Sequence, residues 1–254
     1  MREFVTMWKY RSMWMLFLFS VVLYVAVNIP FESGFIVFDM KDFQPLSSLP
    51  VVLGLFFGPA GVLGAGVGVL LVSLYGGFSW MTIFLMLGNM LMALLAYRLW
   101  DKLFVQADAE LVVPKSGKRL FVVNLFLVVI VSAMTKALVV SWGNVLLLDG
   151  VFYRKVIPLF INDALGGLLL SVVAIFLLLK RLRLWEMIWS ELMRPGDMGI
   201  ESRLGAWISL VSILFCFLIS VLASFYGYGI MVMIFGAVCI LGIIVGLFWK
   251  GGHA

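Results

Sequence analysis

Residues 46–100 read LSSLPVVLGLFFGPAGVLGAGVGVLLVSLYGGFSWMTIFLMLGNMLMALLAYRLW and carry one formal charge, Arg98, near their end. The stretch is otherwise apolar, and it is dense in glycine. Water would drive such a segment to aggregate. In lipid, small residues let helix backbones approach closely, because packing rather than the hydrophobic effect drives helices together there. Gly64 and Gly68 form a small-xxx-small pair, as do Gly61 and Ala65. Proline has no N–H to continue a helix, and glycine tolerates strained backbone angles, so Gly58-Pro59 divides the run. Gly76-Gly77 divides it again. The stretch therefore reads as three closely packed membrane spans, at about 46–57, 60–75 and 80–99. The first is short for a hydrocarbon core of about 30 Å.

Composition extends this reading to the whole chain. Of 254 residues, 64% are hydrophobic and 12% charged, against roughly 25% charged in soluble domains. The mean hydropathy of +1.17 agrees. Alternating segments of about ten residues, the mark of a β-barrel, are absent. The expectation is an all-α, polytopic membrane bundle. No A-x-A-like cleavage site follows the first apolar run, so residues 13–30 read as a span rather than a signal peptide. Cys216 and Cys239 lie in apolar runs and suit neither a disulfide framework nor a metal site. No cofactor is expected, and the net charge of +5 needs no nucleic acid to explain it.

Further spans are expected at about 120–142, 156–179, 204–225 and 230–249, making eight in all. Between the sixth and seventh lies KRLRLWEMIWSELMRPGDMGIESR, residues 180–203. Leu182, Leu184, Trp185, Ile188, Trp189 and Leu192 there predict an amphipathic helix along the interface, ended by Pro195-Gly196. The chain thus divides into a six-span bundle (1–180), a cytoplasmic amphipathic linker (181–203) and two further spans with a tail (204–254). With the N-terminus inside, 14 of the 18 Lys and Arg residues fall in inner segments and three, Lys41, Arg154 and Lys155, in outer ones. The positive-inside rule then puts both termini in the cytoplasm. Merging 46–75 into one span would destroy that alternation, so the charges also support a hairpin at Gly58-Pro59.

Ionisable groups at membrane depth are costly and usually face a partner or a cavity. Lys136 lies six residues before Trp142, at the outer end of the fifth span. Asp163 lies seven residues after Val156, at the start of the sixth. Both then sit about 9–10 Å below the outer surface, on spans joined by a short loop, and can meet. Asn162, Asn28 and Asn89 supply further polar groups. Together they predict an outward-facing pocket beneath the acidic loop with Asp39 and Asp42. Two readings stay open for Lys136 and Asp163, a structural ion pair and a solute site. An ion relay is disfavoured, because no chain of Asp, Glu and His crosses the membrane. Asn89 fits a helix–helix hydrogen bond equally well. Trp142 and Tyr153 suit either the pocket mouth or an interfacial aromatic belt. His253, in the tail, reads as inert.

Nothing points to an enzyme. The sequence holds no HExxH, GxSxG or Walker A motif. Ser132 and Lys136 lie one helical turn apart, a spacing common by chance.

The run PLSSLPVVLGLFFGPAGVLGAGVGVLLVSLYGG, followed by LGNMLMALLAYRLWDKL, resembles the substrate-binding S components of energy-coupling factor (ECF) transporters. The resemblance rests on Leu53 to Pro59, on Gly61, Gly64 and Gly68, on Gly88-Asn89, and on Tyr97 to Trp100. With the six-span layout it covers residues 1–180. It implies a subunit of a bacterial or archaeal cytoplasmic membrane that captures a vitamin-like solute from outside. A T component and two ATPases would energise it. It also implies a pocket in the outer half, built by the later spans under the first outer loop. Two departures stand out. Only Ser20 and Ala26 are small in the first span, where S components often carry an Ala pair that docks the T component. Residues 204–249 also add two spans. The eight-span layout and the PAG…LGN pattern resemble, second, bacterial membrane-associated sensor domains of the MASE1 kind. That reading requires a separate output partner, since the sequence ends at Ala254 without an output domain. A structural or assembly subunit is the third reading.

Overall fold

The computed structural model describes residues 2–32, 44–100, 118–148, 150–198, 203–227 and 229–248. The loop with Asp39, Lys41 and Asp42 lies outside the described residues. So do Lys102, Lys115, Lys250 and His253, and the Cys239 side chain. The described chain begins with α1 (Glu3–Thr6), a 3-10 turn (Met7–Lys9) and α2 (Arg11–Glu32). A second 3-10 turn (Pro45–Ser48) leads into α3 (Leu49–Gly76) and α4 (Met81–Trp100). The long helices α5 (Lys118–Leu148) and α6 (Phe152–Leu184) follow. After them come α7 (Trp189–Leu192), a 3-10 turn (Pro195–Asp197), α8 (Arg203–Phe225) and α9 (Gly229–Phe248). No strand occurs among the described residues.

Six of these helices, α2 to α6 and α8, are long and apolar enough to cross a membrane. Their outward faces are apolar too. On α6, Ile161, Leu165, Leu169, Val173 and Phe176 are exposed, while Asp163, Gly167, Ser171 and Ala174 on the opposite stripe are buried. A soluble bundle would put its charges on that outer face. This molecule presents Leu, Val and Phe there, as a bilayer requires. The architecture is that of a multi-pass membrane protein.

Helix α3 is two legs rather than one rod. Gly58 sits at φ 53°, ψ −127°, outside any helical region, and Pro59 follows with no N–H to lose. A Cβ built on Gly61 would lie 2.1 Å from the Leu53 carbonyl oxygen. Residues eight apart in a continuous helix stand about 12 Å apart, so the chain has doubled back. Only glycine permits both the φ at 58 and the approach at 61. The second leg then packs on α2, Gly64 against Ser20 and Gly68 against Tyr24. Equal steps on both helices mean that they run parallel. The long helices that follow one another from α4 to α9 run antiparallel. Gly88 of α4 meets Lys136 of α5, and Gly167 of α6 meets Val129 of α5. Phe160 of α6 meets Phe217 of α8 at 5.1 Å, and Gly242 of α9 meets Ser212 of α8. The first leg of α3 is wholly buried and the second largely so as far as Val69, while Leu71, Leu74 and Tyr75 near its end are exposed, so the glycine-rich stretch forms the centre of the bundle.

The amphipathic helix expected over 182–192 does not form. Helix α6 continues to Leu184 and closes with two backbone bonds, Glu186 N–H to Arg183 O (3.0 Å) and Met187 N–H to Leu182 O (2.9 Å). This is a Schellman closure, with Glu186 at φ 51° in the place glycine usually takes. The apolar residues beyond it are divided. Ile188 and Met193 are buried, whereas Leu184 and Trp185 are exposed. Pro195 opens a 3-10 turn rather than ending a helix. Helices α5 and α6 also run further than expected, to Leu148 and from Phe152.

Candidate functional site

Lys136 and Asp163 meet. The Lys136 ammonium lies 3.0 Å from Asp163 Oδ1, and both side chains are buried, at 3% and 0% exposure. Gly88 of α4 makes room for the lysine, since a Cβ there would stand 3.3 Å from its stem. Lys136 is 12 residues from the end of α5 at Leu148, and Asp163 is 11 from the start of α6 at Phe152. Both therefore sit about 17 Å along their helices from the α5–α6 connection. That is deeper than sequence spacing indicated, because both helices extend past their expected ends.

The 3-10 turn before α3 enters the site at the same depth. Lys136 donates to the Ser47 carbonyl at 2.7 Å, and the Ser47 hydroxyl donates to Asp163 Oδ1 at 2.5 Å. Asn162 clasps the Gln44 backbone at both ends. Its Oδ1 accepts from the Gln44 N–H at 2.7 Å, and its Nδ2 donates to the Gln44 carbonyl at 3.2 Å and to Ser47 Oγ at 2.9 Å. Non-helical backbone survives at membrane depth only where protein groups satisfy it. Asn162 and Lys136 do that here. They hold the start of α3 in place as much as they form a wall.

Beside this network lies a cavity of about 330 Å³, near the lower end of the roughly 300–1,000 Å³ typical of ligand pockets. Asn28, Asn89, Lys136 and Asn162, all singled out from sequence, line it. Asp163 stands behind Lys136 rather than on the wall. Asn89 is 2% exposed. Its Nδ2 donates to the Leu85 carbonyl, which fixes the amide's orientation, and its Oδ1 has no partner among the described residues. Trp142 is not part of the cavity. Its indole N–H donates to the Val232 carbonyl of α9 at 3.2 Å, and its ring packs on Gly236. Tyr153 is likewise elsewhere, stacked on Phe225 of α8 at 4.5 Å. Sequence reasoning missed Tyr24, Ser47, Ser73 and Lys155 on the wall. Lys155 had a usable signal, since Lys155, Leu159 and Asn162 follow the i, i+4, i+7 spacing of one helix face.

A second polar cluster lies at the other end of α4. Arg98 pairs with Glu3, and the Tyr97 hydroxyl donates to Glu3 Oε1 at 3.1 Å while accepting from Arg98 Nε at 3.2 Å. Trp189 packs edge-on against Tyr97 at 5.3 Å and covers the α3 turn at Gly58. Thr6 Oγ1 donates to the Asp197 carbonyl and the Tyr10 hydroxyl to Asp197 Oδ2, each at 2.7 Å. Burial pushes the Glu3 carboxyl up, but the Arg98 guanidinium and a backbone N–H outweigh it and hold the group below its ordinary value. The Tyr10 hydrogen bond, with help from Lys9, lowers Asp197. Among the described residues no group of His, Cys, Asp and Glu is placed to hold a metal ion.

Comparison with protein-family models, with curated proteins and with solved structures finds no match to this chain.

Proposed function

We propose that this chain is a membrane-embedded binding component that takes a small polar solute into the cavity beside Lys136. The observation that carries the reading is that cavity. It is lined by buried polar groups at membrane depth, where polarity is costly, and one of them, Asn89 Oδ1, has no partner among the described residues. The chain has eight membrane legs, counting both legs of α3, and alternating packing directions support that count. The Lys and Arg distribution puts the Glu3 end, and both termini, on the cytoplasmic side and opens the cavity outward. The resemblance to ECF S components then suggests uptake of a vitamin-like molecule, energised by a separate T component and ATPases, in a bacterial or archaeal cytoplasmic membrane. Ser20 faces Gly64 inside the bundle and so offers no small surface on α2 for docking such a partner.

Native mass spectrometry of the protein, purified gently from its own membranes, tests the reading. A co-purifying small solute, with or without T-component and ATPase subunits, is the expected result. A bare protein, or one bound to a kinase or cyclase, overturns it in favour of an assembly or sensor role. The double variant Lys136→Met/Asp163→Asn removes both charges at nearly constant volume. It is expected to keep the fold and to lose the solute. A double variant that retains the solute makes the ion pair a brace alone.

A further inference from the structure

Three groups on the cavity wall decide what it can hold, and each is constrained by its neighbours. Lys136 contributes donors but little net charge, because Asp163 Oδ1 lies 3.0 Å from its ammonium. Two of its three N–H donors go to Asp163 and the Ser47 carbonyl, which leaves one. Asn89 contributes an acceptor. The Leu85 carbonyl can only accept, so the amide nitrogen must face it, and the buried Oδ1 is left for a donor from elsewhere. An unpaired buried acceptor is unfavourable until something satisfies it. Lys155, on the first turn of α6, is exposed and also lines the cavity. Among the described lining residues there are two lysines and no carboxylate. Asn162 adds little to recognition, since its amide is spent on Gln44 and Ser47.

Resting on the solute-binding reading above, we propose that the solute is a small organic anion, a carboxylate or phosphate ester, that also carries an N–H or O–H donor. Lys155 receives the anionic group and the remaining Lys136 N–H one of its acceptors. Asn89 Oδ1 receives the donor. A cationic solute would meet the Lys155 ammonium with no carboxylate among the described lining residues to offset it, and a hydrocarbon would leave Asn89 unsatisfied.

The test is equilibrium dialysis of the full chain in nanodiscs against a mixture of matched pairs. These are nicotinate with nicotinamide, pantothenate with panthenol, biotin with its carboxamide, and pyridoxal phosphate with pyridoxal, plus thiamine as a cation. At least one anion is expected to be retained about tenfold over its neutral partner. Lys155→Gln is expected to weaken that retention about three- to tenfold, and less in high salt, as befits an exposed charge. Asn89→Leu should weaken it at all salt concentrations, and Lys9→Ala should leave it unchanged. If the neutral members or thiamine are retained instead, the anion assignment is overturned while the solute-binding reading stands. If nothing is retained and the protein purifies bare, both fall. If anion retention survives both Lys155→Gln and Asn89→Leu, the assignment of these residues is overturned.

Discussion

Among the described residues two ion pairs are buried, and they differ in their access to water. Lys136–Asp163 lies about 17 Å down two long helices, fixed by α5, α6 and the turn before α3. Glu3–Arg98 is as deeply buried, at 2% and 3% exposure, but Glu3 belongs to a four-residue helix at the edge of the fold. If the first pair loses one partner, the other stays stranded at membrane depth. If the second does, the segment before α2 can peel away and let Arg98 reach solvent. Burial alone therefore does not set the worth of an ion pair. What matters is whether the fold offers the orphaned charge an exit.

This contrast can be broken by experiment. The largest effect is expected from Asp163→Ala, which strands Lys136 and should cost about 3–5 kcal/mol. Unfolding in mixed micelles reads it, and Lys136→Met/Asp163→Asn should recover most of the loss. An Asp163→Ala variant as stable as wild type would remove the distinction. Glu3→Gln should cost less, about 1–3 kcal/mol, and should act locally, as faster proteolysis or hydrogen exchange in residues 2–10 without global unfolding. Acid sharpens the same point. The Glu3 carboxyl is held below its ordinary value of 4.5, so the stability it contributes is fully present above that pH. It is lost as the pH falls through the lower folded value. Protection of residues 2–10 should drop in that window in the wild type and stay flat in Glu3→Gln. Asp197, also lowered, acts in the same direction, and Tyr10→Phe should reduce its share. The smallest effect is Lys9→Ala. Its side chain is 65% exposed and its ammonium lies 3.7 Å from Asp197, so the change in stability should stay within about 1 kcal/mol.

How much of this was legible in the sequence depended on how local the signal was. Lys136 and Asp163 stood out because each interrupts an apolar run, and matched distances from a short connection set them at one depth. The break at Gly58-Pro59 was legible because both residues act through backbone geometry. The turn at Ser47 was not, since its place is set by Asn162 and Lys136 on distant helices. The expected interfacial helix failed for a related reason. Its spacing was helical, but Ile188 and Met193 are buried in the bundle, and tertiary contact took over from periodicity. Trp142 illustrates an aromatic whose polar edge suits a pocket or an interface alike. Its partner, the Val232 carbonyl, lies 90 residues away.

The short first leg of α3 has a bearing on biogenesis. From Leu49 to the break at Gly58 the leg rises only about 14 Å, half the hydrocarbon core. A translocon that sorts segments by length and apolarity would find too little in it to release it sideways as an independent helix. The leg must therefore enter the membrane with its successor, as one folded-back unit. The polar turn at Gln44–Ser48 would then be drawn below the surface only once α5 and α6 had arrived to receive it. Assembly of the site would be a late step in the life of the nascent chain, completed after most of the protein had left the ribosome.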